Sequence, residues 1–152
     1  MMKYLLDTNV IIGLWSKYPS VLDKLIKYDK IAILREISEE LVIKERRIYK
    51  GQEVLSERFC SLLSFIRDID KSRIEEFYEM LDIKYSKKGN AYFEEVNKLS
   101  RIDLIILYAC TLEESLILIT EDRKLFNAAG IILGEDRVMS LKTLVEIYHK
   151  EV

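Results

Sequence analysis

Four acids stand where a carboxylate could do chemistry: Asp7, Glu40, Asp103 and Asp122. Asp7 directly follows the short apolar run Tyr4-Leu5-Leu6, and Asp122 comes just after Leu116-Ile117-Leu118-Ile119; both runs read as buried strands. In an open parallel sheet, the carboxyl ends of the strands form the edge where ligands bind. Glu40 sits early in the helix expected after the strand Ile31-Ala32-Ile33-Leu34. Asp103 opens an apolar helix that leads into the strand before Asp122. If these strands are neighbours, the four groups converge. Two carboxylates about 4 Å apart repel by roughly 4 kcal/mol at an effective dielectric near 20, so such a cluster needs protons or cations. Oxygen ligands without His or Cys select a hard cation, Mg2+ or Mn2+. Sites of that kind take phosphate substrates, because the ion activates water and offsets charge on the scissile phosphate.

Each acid also has a purely structural reading. Ser100-Arg101-Ile102-Asp103 has the form of a capping box. Glu39 and Glu40 follow an expected cap near Ser38 and would complement the helix dipole. Thr120 would cap its helix, with Glu121 and Asp122 in the first turn, and Asp7 would cap the helix that begins near Asn9. Taken singly, the structural readings are at least as good. The joint placement at one sheet edge favours a shared site.

The elements that must position these groups fit one domain spanning residues 1–152, with 49% hydrophobic and 33% charged residues. One proline and five glycines leave no linker. Helices are expected from Asn9 toward Trp15, after Pro19 (Val21, Leu22, Leu25, Ile26), from about Ser38, over 52–65, and from Ser72 to Met80. Further helices are expected over 90–99, from Ser100 to Leu112, from Thr120 to Ala129 with Gly130 closing it, and from Ser140 to His149. Besides the strands already named, Leu81–Tyr85 alternates like an edge strand, and Ile131–Leu133 with Val138 forms a last one. Short apolar strands alternating with amphipathic helices predict an α/β fold, a three-layer α/β/α sandwich around a mostly parallel sheet. Tyr4, Trp15 and Phe126 are expected in the core, and His149 lies away from every motif.

A net charge of −2 excludes a nucleic-acid binder that works by bulk charge, so a polyanion would have to meet a local patch. Lys44, Arg46, Arg47 and Lys50 form such a patch, with Lys84, Lys87 and Lys88 as a second; a solvated helix face is the alternative for both. Cys60 and Cys110 match no metal spacing and read as buried thiols of a reducing cytoplasm. Neither a signal peptide nor a membrane-length apolar run is visible, so a soluble cytoplasmic protein is expected.

Leu6-Asp7-Thr8-Asn9-Val10-Ile11-Ile12 resembles the opening motif of PIN-domain nucleases. The stretch Ile31-Ala32-Ile33-Leu34 through Glu39-Glu40-Leu41-Val42 is similar to that family's second strand and the helix carrying its second acid, although Ile37 stands where the family often has Thr. Ser100-Arg101-Ile102-Asp103 resembles the third acidic motif, Thr120-Glu121-Asp122 the fourth, and Met139-Ser140-Leu141 the usual ending. The resemblance spans almost the whole chain with its motifs in order; residues 50–98 are longer than in compact members. It implies a VapC-like, metal-dependent endoribonuclease acting on single-stranded RNA. Asp7, Glu40 and Asp103 would hold the essential Mg2+ or Mn2+, with Glu39 and Glu45 as alternatives for the second acid. Asp122 would hold a second cation or orient the attacking water. Thr8, Asn9, Ser100 and Thr120 would fix the carboxylates from behind. It also implies a toxin inhibited by a small antitoxin, and a homodimer. A phosphoaspartyl hydrolase of the haloacid-dehalogenase kind would need Asp where Asn9 stands, and a receiver domain an acidic pair and a late Lys that are not found. A non-catalytic PIN-like scaffold binding RNA or protein is the rival from a different class.

Overall fold

The computed structural model describes residues 2–48, 57–86 and 99–149, with side chains excepted at 45–48, 57–58, 82–86 and 149. Strand β1 (Lys3–Leu6) is followed by helices α1 (Thr8–Lys17) and α2 (Pro19–Lys27), then by β2 (Ile31–Leu34) and α3 (Arg35–Ile48). A helical turn α4 (Glu57–Cys60) precedes β3 (Ile66–Arg67) and α5 (Ile74–Ser86). After these come α6 (Arg101–Leu112), β4 (Leu116–Ile119), α7 (Arg123–Ile132), β5 (Val138–Met139) and α8 (Leu141–His149).

The five strands form one parallel sheet in the order β3-β2-β1-β4-β5. From β1 the chain moves outward through β2 and β3, then returns to the other side of β1 with β4. The strand order therefore reverses between β1 and β4, which opens a crevice at their carboxyl ends. Both central neighbours of β1 are apolar and buried at every position, Ile31-Ala32-Ile33-Leu34 and Leu116-Ile117-Leu118-Ile119, as a sheet covered on both faces requires. The helix contacts fall into two sets, α1, α2, α3 and α8 in one and α5, α6 and α7 in the other, which are the outer layers of the sandwich. At the opposite edge, Arg137 donates from Nε to Leu116 O (2.9 Å) and from Nη2 to Cys110 O (2.8 Å) and Glu113 O (3.1 Å). One side chain thus ties the end of α6 to the start of β4.

Several expected elements differ. Leu81–Tyr85 is not a strand but the second half of α5, where Phe77 and Leu81 bury one face at i, i+4. Ile131–Leu133 is not a strand either: α7 runs through Gly130 to Ile132, since one glycine inside a helix costs only about 1 kcal/mol. The single helix expected over 52–65 gives way, within its described part, to α4, a 3-10 turn at Leu63–Phe65, and then β3, a strand without a local pattern. Helix α3 springs directly from β2, so Ser38 is no cap; its hydroxyl donates back to Arg35 O at 2.7 Å. Cys60 is exposed rather than buried, whereas Cys110 is buried and its thiol is pushed up to about 12 by that burial. Phe126 is 36% exposed, not core, and Tyr4 and Trp15 are half-buried against the core. Lys84 lies on α5; Lys87, Lys88 and nearly all of the helix expected over 90–99 lie outside the described residues. No helix among the described residues is long and apolar enough to cross a membrane.

Candidate active site

Asp7 is placed by the sheet itself. Its amide continues the β1–β4 pairing by donating to Ile119 O (3.1 Å), and its extended backbone turns the chain into α1. The residue is 9% exposed. Oδ1 accepts the Thr8 amide at 2.8 Å, which makes Asp7 the cap of α1, and Oδ2 accepts the Thr120 hydroxyl at 2.8 Å. Burial holds this carboxyl above its ordinary range; hydrogen bonds from Thr120 and Thr8 oppose the shift, and the charges of Glu40 and Asp122 add to it.

Glu40 comes from the second turn of α3. Its Oε2 accepts the Thr8 hydroxyl at 3.0 Å, so the first residue of α1 reaches across to hold the second acid. Its Oε1 lies 3.8 Å from Lys44 Nζ, which also donates to Asn9 Oδ1 at 3.2 Å. Asp103 completes the expected capping box: the Ser100 hydroxyl accepts the Asp103 amide (3.1 Å), and Asp103 Oδ2 accepts the Ser100 amide (3.3 Å). Burial raises the Asp103 carboxyl against that bonding, helped by the charges of Asp122 and Asp7. Asp122 caps α7, with Oδ1 accepting the amides of Lys124 (2.9 Å) and Leu125 (3.2 Å). Thr120 was expected to be that cap. Instead it is a buried relay, 1% exposed, accepting the Asp122 amide at 3.1 Å while donating to Asp7.

All four acids line one cleft of about 390 Å3 at the carboxyl edge, together with Thr8, Asn9, Ser100, Ile102 and Lys124. Of the four supporting residues expected, three reach the cleft and Thr120 stands behind it. Glu40 lines the cleft and Glu39 does not, while the Glu45 side chain falls outside the described set. The basic patch divides: Lys44 turns onto Glu40 and Asn9, while Lys50 and the side chains of Arg46 and Arg47 lie outside the described residues. Lys124 in the cleft wall was not anticipated; its place two residues after Asp122 was the available signal. The Glu40–Lys44 contact was legible as an i, i+4 pair.

The acidic side chains offer oxygen only, and Asp7 feels the charges of Glu40 and Asp122 while Asp103 feels those of Asp122 and Asp7, so the set suits a hard cation in type. Among the described residues, no three acidic, histidine or cysteine side chains are already drawn together as ligands; each of the four acids is turned onto a nearby donor. Chemically the cleft can concentrate cations and hold a phosphate-bearing ligand through them.

No family model and no curated protein matches this chain. Among solved structures it is similar to the crystal structure of PAE2754 from Pyrobaculum aerophilum, with a TM-score of 0.62 and 20% sequence identity over 98% of this chain and 96% of that one. The likeness establishes a shared fold over nearly the full length of both chains.

Proposed function

We propose that the chain is a PIN-type endoribonuclease that hydrolyses phosphodiester bonds in single-stranded RNA with Mg2+ or Mn2+. One observation carries the reading: four acids from four separate segments line a single cleft at the point where the strand order reverses. The ion would be held by Asp7, Glu40 and Asp103 with Asp122 beside them, and when bound it supplies an activated water and offsets phosphate charge. The Thr120 hydroxyl fixes Asp7 Oδ2 and the Thr8 hydroxyl fixes Glu40 Oε2, so both carboxylates are held in the cleft wall by neutral donors. Lys124 gives the wall a cation for an incoming phosphate. By the same resemblance in its motifs, we propose a toxin held in check by a small antitoxin and acting as a homodimer.

The test is cleavage of a labelled single-stranded RNA by the purified chain. Activity should need Mg2+ or Mn2+, stop with EDTA, and vanish in Asp7→Asn and Asp103→Asn. Equal cleavage by mutants and wild type, or activity that survives EDTA, rejects the reading. A second reading, the non-catalytic scaffold, is favoured by a specific observation: Asp7 and Asp122 cap helices and Asp103 closes the capping box of Ser100, a sufficient reason for their presence. Calorimetric titration with Mn2+ separates the two, since a scaffold predicts no site that depends on Asp7.

A further inference from the structure

Lys44 holds an unusual position for a surface lysine. A helical Glu40–Lys44 pair would satisfy itself one turn apart on α3. Here the ammonium also reaches across to α1, where it donates to Asn9 Oδ1 at 3.2 Å while standing 3.8 Å from Glu40 Oε1. Both partners line the acidic cleft. Glu40 Oε2 already accepts from Thr8, and the ammonium stands beside the other oxygen, Oε1, the less committed side of this carboxylate for a cation. Among the described residues, no other ammonium or guanidinium is within ion-pair distance of Asp7, Glu40, Asp103 or Asp122.

We propose that Lys44 is a tethered counter-ion of the cleft: its ammonium occupies the rim beside Glu40 in the metal-free protein and is pushed aside when a divalent cation enters, so Lys44 sets the cation affinity of the site. The inference rests on reading the cleft as a cation site. An ammonium and a divalent ion repel, and they cannot both use Glu40 Oε1 at close range. Entry of the ion therefore costs the Lys44 contacts, and Lys44 acts as a positioning residue through Glu40.

The experiment is calorimetric titration of the EDTA-stripped, dialysed full chain with MnCl2 at low ionic strength. Lys44→Met and Lys44→Gln should each tighten Mn2+ binding, about two- to five-fold, the range expected for one half-exposed ion pair. Lys44→Arg should bind like wild type. Glu40→Gln/Lys44→Met should bind no tighter than Glu40→Gln, because the effect passes through Glu40. High salt should erase the gain, since screening reaches about 3 Å at 1 M. Unchanged or weaker Mn2+ affinity in both neutral variants overturns the inference, as does Lys44→Arg behaving like Lys44→Met. A wild-type site lost in Asp7→Asn but indifferent to Lys44 overturns the inference alone. A wild type with no Mn2+ site, or one unaffected by Asp7→Asn, overturns the reading of the cleft and the inference with it.

Discussion

At the amino edge of the sheet, cationic side chains meet ready acceptors. Lys3 Nζ stands 3.2 Å from Asp29 Oδ1, and Arg137 spends its guanidinium on three backbone carbonyls. At the carboxyl edge, the four acids are held chiefly by neutral donors: the hydroxyls of Thr8 and Thr120 and the amides of Thr8, Ser100, Lys124 and Leu125. Such bonds fix a carboxylate without cancelling its charge. For Asp7 and Asp103 they do not even win locally, because burial raises both carboxyls in spite of them. The two edges divide the labour. One edge carries charge that stabilises the fold, and the other carries charge that the fold tolerates because apolar strands on both sides of β1 supply the stability.

That division is broken most directly by substitutions that should separate activity from stability. Asp7→Asn and Asp103→Asn are expected to lower RNA cleavage by more than about 100-fold, the scale on which losing one group in a preorganised site acts, while circular dichroism shows the fold intact. Thr120→Val, which removes the hydroxyl aimed at Asp7 Oδ2, should cost about 10- to 100-fold, as expected of a group that orients a ligand. Arg137→Ala should do the reverse. Stranding two partly buried carbonyls, with a third that is exposed, is expected to lower unfolding stability by about 2 kcal/mol in urea titration, with cleavage per folded molecule unchanged. If Arg137→Ala abolished cleavage while leaving stability alone, the two edges would not be independent.

The pH dependence sharpens the same contrast. The Asp7 carboxyl is raised from its ordinary 3.8, so the unfolded chain gives up this proton at a lower pH than the folded one. Below 3.8 both states hold the proton. As pH climbs from there through the raised folded value, the folded state loses stability relative to the unfolded, and above that value the loss is complete. In EDTA, the thermal midpoint of wild type should therefore fall relative to Asp7→Asn as the pH rises from about 4. Parallel profiles, or a difference of the opposite slope, would show that Asp7 does not carry this penalty.

The acids at the carboxyl edge were legible because each follows a strong local pattern. Leu116-Ile117-Leu118-Ile119 is unmistakable as a buried strand, and Ser100 with Asp103 writes its own helix start. What escaped was structure created only by partners. Ile66-Arg67 is a strand because Ile33 and Leu34 pair with it, and two residues carry no period of their own. Helix α5 continued where Leu81–Tyr85 alternated because the packing of Phe77 and Leu81 outweighed a five-residue pattern. For Thr120 the resemblance implied a supporting role, but which carboxylate it holds was not legible, since its partner Asp7 is 113 residues away along the chain.

The smallest effect belongs to the most visible ion pair of the amino edge. Lys3 and Asp29 meet at 3.2 Å, but the Asp29 side chain is 61% exposed, so water already solvates half of the pair. An exposed pair of this kind contributes under about 1 kcal/mol. Asp29 also has φ of +53°, in the left-handed region where Asp and Asn are better tolerated than most residues, so its identity serves the turn into β2 as well as Lys3. Lys3→Met should therefore shift the urea midpoint by an amount equivalent to less than about 1 kcal/mol, and Asp29→Asn by no more, with cleavage untouched in both. A loss near that of Arg137→Ala would mean that matched charge, rather than satisfied carbonyls, is what steadies this edge. The difference matters because Arg137 cannot be replaced by solvent at partly buried carbonyls, whereas water can take the place of Lys3 at once.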